Sequence, residues 1–465
     1  MVLAVLQTIL VMLITFFVYY SNGGDLLAPA CLACFASILC SAGAIYDCWR
    51  WSYQLGAAEV FVFSGGLLCF VVPATFFNKK GDGSTQERCK PIIIPKVVTY
   101  GVIAFGLVAA YLYVRAIMQV AGGSGDWSQT MQSYRHNVAY GDADDQIPSS
   151  VSRLFKLFMA FAYAYVFIFM NDLVVERKAR WAYLLPGLIY CGASLSQASR
   201  GQIIAFLFAS VIMFWVLRKR YTGKTVHVPF SVIAATVVVI VAGLALFAMA
   251  NELVGRTTAK TPLDSVMTYI GGSVVGLDMF LDNPGAAISP NNIFGAETFR
   301  GLYSFLGRTF DIPEYEYTFQ LEYRYANGTN IGNLYTAYRY YLHDFGALGL
   351  VILTALQGLV FGVAYRHITV GKFKDTATRL GSETIIFSYL ALSVAFLPIA
   401  DYLFHQYFNP TTLLTLLMFI FAIFILSRLS RLRIRRNELP KSKSGPFGLR
   451  KRFRHQGRPV RGVFK

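Results

Sequence analysis

LAVLQTILVMLITFFVYY, residues 3–20, carries no charge, and its clearest polar breaks are Gln7, Thr8 and Thr15. At ~1.5 Å per residue a helix of this length reaches about 27 Å, close to the ~30 Å hydrocarbon core of a bilayer. No basic segment precedes the run and no small-residue cleavage site follows it, so it reads as a retained span rather than a secretory signal. The rest of the chain continues the pattern. Of 465 residues, 55% are hydrophobic and only 14% charged, and the mean hydropathy is +0.49. That is more apolar surface than a water-soluble core of this length can bury.

Uncharged or nearly uncharged runs of membrane length predict eleven spans, at 2–20, 26–46, 56–77, 97–120, 154–173, 181–196, 202–217, 229–250, 342–366, 383–401 and 409–427. The segment MTYIGGSVVGLDMFL, 267–281, holds an acid and three glycines, and is expected to be an interfacial or re-entrant helix. The fold class is therefore all-α, a polytopic membrane helix bundle filling 1–427 with a large, partly helical loop at 251–341 between spans eight and nine. Lysine and arginine concentrate in 78–96, 175–180, 218–224 and 366–379, which fall on one side if the spans alternate. By the positive-inside rule that side is the cytoplasm. The N-terminus is then outside and the C-terminus inside, and 121–153, 197–201, 251–341 and 402–408 face outward.

The net charge of +17 is largely a tail: residues 428–465 carry fourteen basic side chains and one acid, Glu438. This cytoplasmic segment is expected to be disordered and drawn to anionic headgroups, at ~1 kcal/mol per basic residue. It lacks the aromatic and basic interleaving of a nucleic-acid module, so no nucleic-acid partner is expected. The seven cysteines lie in or beside spans or in a cytoplasmic loop, and no disulfide is expected; Cys31 and Cys34 read as small residues at a helix contact. No zinc-protease, calcium-loop or nucleotide-loop motif occurs, so neither metal nor cofactor is expected. The acids Asp142, Asp144 and Asp145 lack the glycine and terminal glutamate of a calcium loop and read as a solvated turn.

What remains is polar chemistry on the outer side. Arg200, in SQASRGQ at 196–202, stands between two apolar runs with Ser194, Ser196, Ser199 and Gly201 around it. Charges near membrane depth line a cavity, find a partner or snorkel to the surface. The loop and its exit, 298–349, interleave Arg300, Arg308, Arg324, Arg339, His343 and Asp344 with tyrosines and phenylalanines. Aromatic rings suit sugar faces, and guanidinium forks suit diphosphate oxygens. If a helix starts near Tyr340, Arg339, His343 and Asp344 fall within about one turn of each other. The outer segment 121–153 adds Trp127, Tyr134, Arg135 and His136.

These features resemble the bacterial oligosaccharide repeat unit polymerases, the Wzy-type O-antigen and capsule polymerases. The resemblance rests on the many spans, the large outer loop in the second half, the S-R-G element Ser199, Arg200, Gly201, and the stretch N-x-Y-T-A-Y-R-x-Y-x-x-D-x-G from Asn333 to Gly346. Some members carry paired R-x10-G loops; Arg135, Arg300 and Arg308 are not followed by glycine at that spacing, so that scheme is not carried over. The resemblance implies an enzyme of the bacterial cytoplasmic membrane that transfers a growing glycan from undecaprenyl diphosphate to a new lipid-linked repeat unit, at the outer face, without a metal. A chain-length regulator and a flippase are the implied partners. On this reading Arg200, Arg308 and Arg339 are the foremost diphosphate ligands, with Arg300 and Arg324 behind them. Asp344 or His343 serves the acceptor hydroxyl, with Glu314, Glu316 and Glu322 as rivals, and Trp127, Tyr335 and Tyr338 meet the glycan.

Two alternatives stay open. A lipid-linked oligosaccharide flippase or transporter needs charges along a path at mid-membrane, whereas only Glu59 and Arg115 sit inside the early spans. An O-antigen ligase shares the architecture and differs in its acceptor.

Overall fold

The computed structural model describes residues 1–76, 91–122, 127–140, 147–197, 201–222, 262–285, 292–317, 321–373 and 375–438. In chain order its helices are α1 (Val2–Ser21), α2 (Pro29–Arg50), α3 (Ala57–Phe76), α4 (Lys96–Val120), α5 (Trp127–Tyr140), α6 (Ser149–Val175), α7 (Leu185–Ser194) and α8 (Gly201–Thr222). They continue with α9 (Pro262–Asp282), α10 (Arg300–Phe310), a hairpin of β1 (Arg324–Ala326) and β2 (Thr329–Gly332), then α11 (Ala337–Val370), α12 (Gly381–Leu390), α13 (Leu392–Ala395) and α14 (Pro410–Glu438). Among the described residues eight helices are long and apolar enough to cross a membrane: α1, α2, α3, α4, α6, α8, α11 and the Pro410–Arg431 part of α14. The protein is a polytopic helical membrane protein.

Two expected spans are not continuous helices. Residues 181–196 form a 3₁₀ turn followed by α7, only 10 residues long, and 383–401 divide into α12, α13 and an irregular run around Pro398. Apolar composition sets what a segment can bury. Pro186 stands in the first turn of α7, where its missing N–H costs nothing, and Pro398 lies in the irregular run after α13. The expected span 229–250 lies outside the described residues. The tail also differs from its reading: α14 stays helical to Glu438, well past residue 428, and 439–465 lie outside the described residues.

Two clusters of buried side chains make the interior. One is built mainly on α1, α2, α3, α9 and α11, the other on α4, α6, α7, α8, α12 and α14. Residues of α8 and α12 enter both and join the halves. The most extensive helix contact is α11 along α3, followed by α9 across α2. At the second crossing a Cβ on Gly271 would lie 2.3 Å from the carbonyl carbon of Gly43, so two backbones meet where only glycine fits. Side chains fix α9 at both ends. Asp264 accepts from the Tyr46 hydroxyl and pairs with Arg50, each at 2.8 Å; Asp278 accepts from Tyr53 and the Gly56 N–H, at 3.0 Å.

Described parts of two basic segments, Lys219 and Arg220 of α8 and the residues after Arg366, meet at one end of the bundle. Lys219 pairs with Asp25, which also accepts from Tyr365 at 2.8 Å. Arg220 donates to the carbonyls of Ile368 and Gly371, at 3.0 and 2.7 Å, and Arg431 pairs with Asp375. The chemistry expected of the outer loops gathers at the other end.

Candidate functional site

The stretch Asn333–Gly346 folds as a short helical rise that stops abruptly. α11 starts at Ala337, which puts Arg339 and His343 four residues apart on one face. Gly346 then takes φ 66° and ψ −163°, outside the helix region, and the chain turns before resuming the long apolar part of α11. A glycine allows this because no Cβ meets the backbone there.

A carboxylate from the preceding loop enters the face so formed. Glu297, 1% exposed, pairs with the Arg339 guanidinium, 3% exposed. His343 Nδ1 lies 3.3 Å from the second oxygen of Glu297 and 3.8 Å from Asp344 Oδ1. Asp344 faces back to the loop and accepts from the backbone N–H groups of Thr298, at 2.6 Å, and Glu297, at 3.4 Å. Arg339 is further enclosed by rings, its guanidinium carbon 4.8 Å from the centre of Tyr335 and 5.0 Å from that of Phe280. Carboxylate, guanidinium and imidazole are thus brought together, and His343, at 21% side-chain exposure, is the most accessible of them.

The other expected site residues are distributed unevenly. Arg300 donates to the Tyr317 carbonyl at 2.6 Å and lies over the Tyr317 ring, and Arg324 pairs with Glu322 while donating to Tyr335 and to the Asn283 carbonyl. Arg308 is exposed on α10, and Glu314 and Glu316 follow it on the adjoining turn. The two tyrosines assigned to the glycan are interior. Tyr338 is fully buried, edge-on to Phe63 at 6.0 Å, and Tyr335 is 1% exposed with its hydroxyl donating to the Glu322 carbonyl. Helical periodicity turns Tyr338 into the bundle, and Tyr335, two residues before α11, packs under Arg339, so neither offers a face to a sugar. Trp127 begins α5, with its side chain outside the description, and Arg200 and Asp142 to Asp145 lie outside the described residues.

Beside this cluster is a cavity of about 400 Å³. Its walls include six tyrosines, Tyr113, Tyr163, Tyr190, Tyr389, Tyr402 and Tyr407, together with Lys156 of α6. Gly201 and Gln202, directly after Arg200, also line it, and Gln202 accepts from the Tyr190 hydroxyl at 3.2 Å. Gln406, Tyr407 and Asn409 close one side. The same segment reaches the Glu297 cluster, because His405 Nδ1–H donates to the Glu297 carbonyl at 2.6 Å and Asp401 accepts from the N–H groups of Phe404 and His405. Cavity and cluster therefore share one wall, residues 401–409.

Glu297, His405 and the cavity tyrosines were not singled out in the sequence. Glu297 lies just before Arg300 in a loop already marked for its charges, and His405 lies in an outward segment whose chemistry was passed over. Burial holds the His405 imidazole down to about 4 from its ordinary 6.5, with the nearby Arg300 charge acting in the same direction. The packed segment therefore keeps its full stability above about pH 6.5. It loses stability as pH falls toward 4, since the released histidine binds a proton that the packed one does not. Amide hydrogen exchange of 401–409, corrected for intrinsic rates, is expected to rise between pH 7 and pH 5 at conditions of local opening. His405→Gln should remove that pH dependence; an unchanged slope in the variant would assign it to another group.

No protein-family model, no curated protein and no solved structure matches the chain. Among the described residues no group of His, Cys, Asp and Glu is arranged to hold a metal ion.

Proposed function

We propose that the protein polymerises lipid-linked oligosaccharide repeat units, transferring a glycan from undecaprenyl diphosphate to the next unit at the outer face of a bacterial cytoplasmic membrane. One observation carries the reading: a tyrosine-walled cavity lined by Gly201 and Gln202 shares a wall with the Arg339, Glu297 and His343 cluster. Hydroxylated rings and side-chain amides suit a glycan, and an imidazole oriented by a carboxylate suits a proton acceptor for the attacking hydroxyl. His343 is favoured for that role over Asp344, whose carboxylate is engaged in holding the 297–298 turn. The leaving diphosphate needs cations, and Arg200 and Arg308 are assigned to it. Arg339 is assigned the charge balance of Glu297 rather than direct contact.

The proposed topology keeps eleven crossings. The broken α12 and α13 pass largely through the protein interior, where their interrupted backbones find partners, and the short α7 crosses with one side exposed through Leu185 and Leu188. The basic end faces the cytoplasm and the cavity end faces outward, with the N-terminus outside and the C-terminus inside.

The test is the glycan profile of a deletion strain and its complemented parent, on a gel resolving chain length. Loss of the ladder with single repeat units still attached is the expected result. Loss of all attached glycan, with lipid-linked polymer accumulating, means ligation; an unchanged profile rejects both.

A further inference from the structure

The cavity is unusual in its charge balance. Among the described residues Lys156 is its one charged lining residue, and none of their carboxylates lines it. Lys156 is half-buried, one turn after the exposed Arg153, and has no ion pair among the described residues. Glu297 is engaged with Arg339, Asp344 and Asp401 with backbone N–H groups, and Glu322 with Arg324. The cavity also receives the first turns of three long helices, through Ser152 of α6, Gly201 of α8 and Thr411 of α14. Helix N-termini carry partial positive charge, so they add to the field of the ammonium. An enclosed ammonium is costly without a counter-charge, and the surrounding tyrosine hydroxyls and amides are neutral.

We infer that the cavity binds an oxyanion carried by the glycan substrate, with Lys156 as its ion-pair partner. This deepens the proposed function and rests on it for the identification of the carrier as a glycan. The oxyanion has two chemical sources, the carboxylate of an acidic sugar or the phosphoryl group that joins glycan to lipid. Lysine acts on either as a compact point charge. Tyr389 and Tyr407, half-buried with their ring centres 5.2 Å apart, leave aromatic surface beside the charge. That combination fits a sugar ring bearing an anionic group better than a free inorganic ion.

The experiment uses the full chain in nanodiscs of phosphatidylcholine, which supply no anionic headgroup. Lysines are acetylated by a limiting dose of an amine-reactive ester, and peptide mass spectrometry reads the rate at Lys156. The exposed Lys178, at the other end of the bundle, serves as internal control. The probes are inorganic pyrophosphate, a disaccharide containing a uronate and a neutral disaccharide of the same size. An anionic probe is expected to slow Lys156 acetylation about fivefold at several times its Kd, leaving Lys178 unchanged. Protection by the uronate assigns an acidic sugar, and protection by pyrophosphate assigns the phosphoryl linkage. Equal rates with all three probes overturn the proposal, as does protection by the neutral disaccharide alone. In cells, Lys156→Arg should keep the glycan ladder that Lys156→Gln shortens. The protection result is independent of polymer formation: protection with an unchanged deletion profile rejects the polymerase reading alone, and an altered profile without protection rejects the anion site alone.

Discussion

Replacing Arg339 by alanine is expected to cost about 3–5 kcal/mol of stability, the usual consequence of stranding one partner of a buried ion pair. Glu297 would keep a carboxylate at 1% exposure with its guanidinium gone. The half-buried imidazole of His343 is its remaining neighbour among the side-chain contacts described for it. Arg339 also fills the space between Tyr335 and Phe280, so truncation removes packing as well as charge. The variant should reach the membrane in reduced amount, lose resistance to limited proteolysis around 297–345 and make no polymer. The charge can be separated from the shape. Glu297→Gln with Arg339→Met removes both charges and keeps most of the volume, and should recover much of the proteolytic resistance without recovering polymer. If Arg339→Ala alone retains wild-type resistance, the pair does not hold this face together. If the double variant polymerises, Glu297 does not orient His343 for chemistry.

That pair shows where the sequence could be read and where it could not. Arg339, His343 and Asp344 were placed together by helical spacing, and the structure brings them to one face. Their partner, Glu297, comes from a loop more than forty residues earlier, and no periodicity connects a loop acid to a helix. Spacing also leaves open which faces of a helix are covered. Tyr335 and Tyr338 belong to the same recognisable stretch, yet both are buried: Tyr338 sits on the inward face of α11, and Tyr335, just before the helix, is held by Arg339 and the Glu322 carbonyl. The cavity tyrosines come from α4, α6, α7, α12 and the 402–407 segment, and only the tertiary fold assembles them.

Apolar run length read most of the long helices well, from α1 through α4, and failed at α7 and at 383–401. Hydropathy is insensitive to the change from a 3₁₀ turn to α-helix at Leu185, where Pro186 opens α7, and to the break at Ala391 between α12 and α13. The hairpin in the outer loop was legible and unread. Asn327 and Gly328 have φ of 45° and 81°, the positive values that a two-residue hairpin turn requires, and Asn-Gly is its strongest short-range signal. The hairpin is fastened to the bundle because Asn327 Nδ2 donates to the Trp51 carbonyl at 2.7 Å.

A second signal passed over is Gly358 with Gly362, one helical turn apart in α11, and it leads to the other large expected effect. A Cβ on Gly358 would lie 2.1 Å from the Phe70 carbonyl oxygen, and one on Gly362 would lie 2.6 Å from that of Ala74. Both neighbours are backbone atoms of α3 and have no rotamer into which to retreat, so the helices themselves must part. Small residues four apart allow this close approach in membranes, where dispersion between backbones substitutes for a hydrophobic driving force. Gly358→Val should therefore cost about 1–3 kcal/mol or more as an overpacking change, visible as a lower aggregation temperature in detergent. The effect should reach the site, because α3 and α11 also meet at Gly66, where a Cβ would stand 2.8 Å from the Tyr338 ring. Tyr338 precedes Arg339, and a shift of α11 along α3 displaces the face that holds Glu297. Gly65→Ala is the matched control, since a Cβ there meets nothing within 4 Å. The control should keep both wild-type stability and wild-type chain length, whereas Gly358→Val should lose both. A Gly358→Val protein as stable as the control would mean that α3 and α11 are not held by backbone contact. Normal stability with lost polymer would instead place the effect in the alignment of the site.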